Sequence, residues 1–98
     1  MSDMEKMRSE LLKDPEFREY YQEMQPLADI SKAIIDARLK KGLTQKELSN
    51  LCGVPQANIS RLEACDGNPS IKTLNRIARS LNMRLEIKLI PNEEESTD

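Results

Sequence analysis

An all-α fold, followed by one short β-strand, is what this sequence predicts, and three observations predict it. The apolar residues are aliphatic, with no Trp, one Phe and two Tyr, and there are only three glycines in 98 residues. That composition suits helices packed through aliphatic side chains and lacks the many glycine turns of a sandwich or barrel. Apolar residues then recur at helical spacing from Met4 to Leu81, as on one face of a 3.6-residue repeat. After Asn82 the period falls to two, the pattern of a half-buried strand.

Each element can be justified in order. Met4, Met7 and Leu11 lie at i, i+3 and i+7, predicting a short amphipathic helix over Asp3–Leu12. Asp14-Pro15 restarts the chain as N-cap and first helical residue. Phe17, Tyr20, Tyr21 and Met24 continue a stripe that Pro26 is expected to break or kink. The stripe resumes through Leu27, Ile30, Ile34 and Ala37, and Lys40-Lys41-Gly42 reads as a helix stop. Thr44-Gln45-Lys46-Glu47 is a capping box, opening a helix that carries Leu48 and Leu51 and stops at Gly53. Val54-Pro55 opens the next helix, with Ile59 and Leu62 as anchors, and Asp66-Gly67-Asn68-Pro69 ends it. Ser70 caps a last helix whose core face is Ile71, Leu74, Ile77, Ala78 and Leu81. Met83, Leu85, Ile87 and Leu89 alternate with Arg84, Glu86 and Lys88 as the strand.

Several function classes are disfavoured by composition. No apolar run approaches the roughly 20 residues that span a bilayer, and the charged N-terminus lacks a signal-peptide core. A soluble, cytoplasmic protein with no membrane association is the expectation. Cys52 and Cys65 stand apart with no histidine to join them, so no metal site and no disulfide is expected. Without clustered acids or an activated nucleophile, no catalytic residue can be named, and neither an enzyme nor a cofactor is expected.

Charge points elsewhere. The net charge is −2, but it is unevenly spread: residues 1–31 hold four Lys/Arg against eight Asp/Glu, residues 32–84 ten against four, and residues 85–98 one against five. The segments carry −4, +6 and −4. Phosphate binding depends on local positive charge, so the basic centre outweighs the mean.

The spacing within that centre is specific. Two short helices crossing steeply need a small residue at their closest approach, here Ser49, and a turn residue tolerant of positive φ, here Gly53. Leu48, Ile59 and Leu62 are the apolar anchors that lock such a pair to a core. The runs Leu43-Thr44-Gln45-Lys46-Glu47-Leu48, Ile59-Ser60-Arg61-Leu62-Glu63, Asn68-Pro69-Ser70 and Leu74-Asn75-Arg76-Ile77-Ala78 resemble the phage-repressor type (Cro/C1, XRE) of helix-turn-helix. The resemblance covers roughly residues 27–82, and departs at Cys65 (usually Gly) and Ser49 (usually Ala).

That resemblance implies that the helix beginning near Pro55 lies in the major groove of operator DNA. Gln56, Ala57 and Asn58 would then meet base edges, with Ser60 and Arg61 a turn further on. Gln or Asn can hold adenine, Ala57 a thymine methyl, and Arg61 guanine or a phosphate. Gln45 is implied as a phosphate contact that buttresses Gln56, while Asn68, Ser70 and Lys72 surround a helix N-terminus suited to phosphate. Arg38 and Glu63 are implied as a structural ion pair.

The flanks are read as follows: residues 1–26 a helical extension, 27–82 the DNA-binding domain, 83–90 a strand for dimerisation, and 91–98 a disordered acidic tail. A lone strand cannot satisfy its own backbone, so Met83, Leu85, Ile87 and Leu89 are expected to pair with another chain. That chain is a second copy or a partner's sheet; pairing with a second copy would give a homodimer on palindromic half-sites. Leu11-Leu12-Lys13-Asp14-Pro15-Glu16-Phe17 with Tyr20-Tyr21, and the strand after the last helix, are similar to the antitoxins of HigBA-type pairs. That likeness implies an autorepressor and a small basic, RelE-like, mRNA-cleaving toxin as partner. The competing readings are a stand-alone regulator and an adaptor that has lost DNA binding.

Overall fold

The computed structural model describes residues 3–92, and the expected disorder of 91–98 lies outside them from residue 93 onward. It holds five helices: α1 (Asp3–Leu11), α2 (Pro15–Lys40), α3 (Gln45–Cys52), α4 (Gln56–Glu63) and α5 (Ile71–Ser80).

Side chains start most of these helices. The Asp14 carboxylate accepts from the Glu16 amide at 3.0 Å, with Pro15 at the first helical position. Thr44 and Glu47 close the capping box in both directions, each bond 3.0 Å long. The Ser70 hydroxyl accepts from the Thr73 amide at 3.1 Å. Left-handed residues stop them. At the end of α2, Gly42 (φ 70°) donates to Leu39 and Leu43 to Arg38. The same pair of bonds ends α4 around Cys65 (φ 57°) and α5 around Asn82 (φ 57°). All three are Schellman ends.

The core is built from one or two residues of each element after α1: Ile34 of α2, Leu48 of α3, Val54 of the turn, Ile59 and Leu62 of α4, Ile77 of α5 and Leu81 at its cap. Burying each such side chain contributes about 1.5–3 kcal/mol. α3 packs on both α4 and α5, and α2 packs on α4. Ser31 is the one buried polar residue among those described, and its hydroxyl donates to the Leu62 carbonyl, joining α2 to the end of α4. α1 buries none of its residues.

Three expectations need correction. Pro26 does not end a helix: it lies inside α2, which runs unbroken for 26 residues, so the division at 26/27 falls within one element. A helical proline costs about 3 kcal/mol, and here Leu27, Ile30 and Ile34 dock immediately downstream and hold the helix in place. Second, no strand is present among the described residues; Met83–Ile90 follows α5 without regular structure. A strand needs a ladder partner, and the described residues supply none; Met83, Ile87, Leu89 and Ile90 are all exposed. Third, Ile71, expected on the core face of α5, is exposed, because it is the first residue of that helix; Leu51, in the last turn of α3, is exposed as well. No helix of the described residues is long and apolar enough to cross a membrane.

Candidate nucleic-acid interface

Two short helices and a three-residue turn build the site. Gly53 takes φ 73° and donates to the Ser49 carbonyl at 2.9 Å, stopping α3. Ser49 is more than a small residue at the crossing, because its hydroxyl donates to the Val54 carbonyl at 2.6 Å and ties the turn to α3. Val54 is buried, and Pro55, with φ −55°, is the N-cap that starts α4.

The alternation of burial along α4 decides which way it faces. Ile59 and Leu62 are 0% and 2% exposed and seat the helix on the core. Pro55, Gln56, Ala57, Asn58, Ser60 and Arg61 are all exposed. Gln56 and Ser60, like Ala57 and Arg61, are four residues apart and share a side of the helix. Amide, methyl, hydroxyl and guanidinium groups thus stand together on one outward surface, a donor and acceptor set that can read base edges. The N-terminus of α4 has no side-chain cap, so no protein side chain occupies the first-turn amides.

Behind this surface lies a polar clamp. Arg38 donates to both Glu63 oxygens, and its remaining nitrogen donates to the Leu43 carbonyl at 2.8 Å. The hydrogen bonds it donates to Glu63 hold the guanidinium above its already high ordinary value. Gln45 sits differently from its implied position: its amide nitrogen donates to Glu63 at 3.2 Å and not to Gln56. The carboxylate of Glu63 therefore collects donors from α2 and α3 at the last residue of α4.

Asn68 and Ser70 border a cleft of about 360 Å³ that also meets Asn58, Arg61, Asp66 and Thr73. Lys72 is exposed outside that lining. The N-terminus of α5 opens beside this cleft, which suits an anionic oxygen. Two of its residues were not singled out in the sequence. Thr73 is three positions after the cap, where its amide bonds the Ser70 hydroxyl and its own hydroxyl accepts from Ser70 at 3.0 Å. Asp66 gives no such signal; it borders the cleft directly after the left-handed turn at Cys65. Arg61, Lys46 and Lys72 make no ion pair among the described residues, whereas Lys32 is paired with Asp36 and Arg38 with Glu63. The first three cations are available to phosphate.

A short helix held on two others by buried aliphatics, with its polar side outward beside unpaired cations, defines the DNA-reading class of helix-turn-helix proteins. The chain belongs to the helix-turn-helix family, whose model matches residues 34–88. Its likeness within that family runs to HigA-type antitoxins of the XRE kind. It is similar to antitoxin HigA1 of Mycobacterium tuberculosis, 32% identical over 76 residues, which are 78% of this chain and 51% of that one. It is also similar to an HTH-type transcriptional regulator of Archaeoglobus fulgidus, 40% identical over 62 residues, 63% of this chain and 89% of that one. Among solved structures, a chain of a toxin–antitoxin module from Streptococcus pneumoniae matches with a TM-score of 0.65 and 29% identity, covering 92% of this chain and 96% of that one. The chain thus spans about half the length of HigA1 and nearly the whole of the pneumococcal chain.

Proposed function

We propose that this chain is the antitoxin of a HigBA-like toxin–antitoxin pair, a DNA-binding autorepressor that neutralises a small basic, RelE-like, mRNA-cleaving toxin. The observation that carries the reading is the extent of the likeness to the pneumococcal chain. At 92% of this chain, the matched region is too long for residues 27–82 alone and takes in part of the flanks. A match confined to the DNA-reading domain would support regulation only.

In this reading α4 enters the major groove. Gln56, Ala57 and Asn58 meet bases, Ser60 and Arg61 meet bases or backbone, and Pro55 sets the angle of entry. Gln45, Asn68, Ser70 and Lys72 hold phosphates and set register without reading sequence. The +6 charge of residues 32–84 supplies the salt-sensitive part of the affinity. Two copies, joined through Met83, Leu85, Ile87 and Leu89, present two such helices to palindromic half-sites one turn apart. Residues 1–26 are left for the toxin.

A stand-alone regulator is the second reading. It is favoured by the Archaeoglobus relative, whose matched stretch fills 89% of that protein but 63% of this one; a shorter chain is named a regulator without an equivalent of every flank.

One experiment separates them. Gel shifts on the chain's own promoter fragment should weaken by about 5- to 150-fold with Gln56→Ala or Arg61→Ala, the range of one base contact. Co-expression with the protein of the adjacent reading frame should rescue growth from that protein's toxicity. A harmless neighbour with an intact operator shift leaves the regulator; wild-type shifts from both variants would remove α4 from the DNA.

A further inference from the structure

Two apolar surfaces stand exposed among the described residues. One follows α5: Met83, Ile87, Leu89 and Ile90 are 51–100% exposed. The other is the N-terminal arm, where Met4, Met7, Leu11 and Tyr20 are 76%, 62%, 41% and 61% exposed. The arm's apolar residues are ordered into a stripe. Met4, Met7 and Leu11 share one side of α1, and Phe17, Tyr20, Tyr21 and Met24 share one side of the first turns of α2. The Phe17 and Tyr21 rings are 6.2 Å apart and tilted by 30°.

α1 has nine residues and no buried side chain. Isolated helices shorter than about 12–15 residues are marginal in water, so α1 needs a surface to lie on. Charge decides whose surface. Between residues 3 and 24 there are seven Asp/Glu and four Lys/Arg, 4 − 7 = −3, and all of these side chains are on exposed residues. A second copy's arm would bring −3 against −3, and like charges facing across a contact oppose association. The segment after α5 has the opposite character. Arg84, Glu86 and Lys88 mix signs, and Met83 adjoins a groove lined by Ala33, Ala37 and Leu81 together with Asp36, Lys40 and Lys41. Mixed charge suits a self-complementary contact between two copies. The two open surfaces therefore call for two different partners.

We propose that the arm, α1 and the first three turns of α2, is the docking face for a basic protein, with Met7, Leu11 and Tyr20 as apolar anchors inside an acidic rim. This rests on the antitoxin reading, in which that protein is the toxin. The arm is also set apart from the DNA-reading helix. Ser31, where α2 meets the end of α4, lies eleven residues beyond Tyr20, about 16 Å along the helix axis. Toxin and operator thus occupy different ends of α2, and the chain holds both at once.

The test uses the full chain with the small basic protein of the adjacent reading frame as probe. Leu11→Asp and Tyr20→Asp change exposed positions and leave the core intact. Each should weaken calorimetric affinity for the probe roughly tenfold or more, as loss of an interface anchor does, while operator shifts and the solution mass of the chain alone stay as in wild type. Probe-bound wild-type chain should still shift the operator. Wild-type affinity in both variants would overturn the arm proposal and leave the antitoxin reading standing; no binding by the wild-type chain would overturn both. A lower solution mass in the variants without probe would make the arm a self-association face instead. Weakened probe binding by Ile87→Asp would move the docking face to the other end of the chain. Failure of the probe-bound chain to shift the operator would refute simultaneous binding.

Discussion

Arg38 holds Glu63 through two parallel hydrogen bonds, Nε to Oε2 at 2.7 Å and Nη2 to Oε1 at 2.8 Å, across 25 residues of chain. Their side chains are only 12% and 7% exposed. Forked geometry of this kind is what a guanidinium offers a carboxylate. The pair fixes the end of α4 to α2, and so fixes the angle at which Gln56 and Arg61 are presented.

Removing one partner leaves the other charge in poor solvent. Arg38→Ala should cost about 3 kcal/mol in urea unfolding, since an uncompensated buried charge is worse than none. Arg38→Met combined with Glu63→Leu should cost less than either single change. A cost within about 0.5 kcal/mol for Arg38→Ala, the range of an ordinary surface change, would mean that the pair is solvated and only decorative.

Cys65 adopts φ 57° at the end of α4, a conformation that a Cβ disfavours. Glycine relieves that strain but adds freedom to the unfolded chain. The strain is the larger effect, so Cys65→Gly should stabilise the protein by about 0.5–1 kcal/mol. Asn82, at the same φ after α5, belongs to a residue type that tolerates this region. A lower urea midpoint for Cys65→Gly would show that packing of the half-buried thiol outweighs the backbone gain.

The capping box gives α3 a defined response to acid. The Thr44 amide donates to Glu47, and that bond, with the one from the Thr44 hydroxyl side, holds the Glu47 carboxyl below its ordinary value of 4.5. A depressed carboxylate stabilises the fold above its unfolded value and loses that contribution as pH falls through the folded one. Melting temperature should therefore decline below about pH 4.5 more steeply for the wild type than for Glu47→Gln, which still reaches the cap amide but does not titrate. Parallel acid limbs for the two proteins would contradict this.

Most of the fold could be read from spacing, because caps, left-handed stops and apolar stripes are local devices. The Arg38–Glu63 contact was reachable only through family resemblance, since nothing in the intervening residues states it. Pro26 misled for a physical reason: its cost is local, while Ile30 and Ile34 anchor the helix from downstream. Gln45 was assigned to Gln56, but the carboxylate of Glu63 is the stronger acceptor within its reach. Asp66 was invisible because it reaches the cleft just past a left-handed residue, Cys65, that is not one of the usual glycine stops. The segment after Asn82 alternates as a strand does, yet a ladder is a property of two segments and the described residues hold only the first.

Helix α2 is a rod of 26 residues, about 39 Å long, gripped by the DNA-reading domain at one end and left standing at the other. Pro26 sits near its middle and removes one backbone hydrogen bond from the ladder. That makes the rod a lever with a single compliant joint. Torque applied at Tyr20 reaches Ser31 and Arg38 through this joint, and from them reaches the seat of α4. How stiffly the N-terminal end of α2 can swing against the DNA-reading domain is therefore set by one residue that lies outside α4.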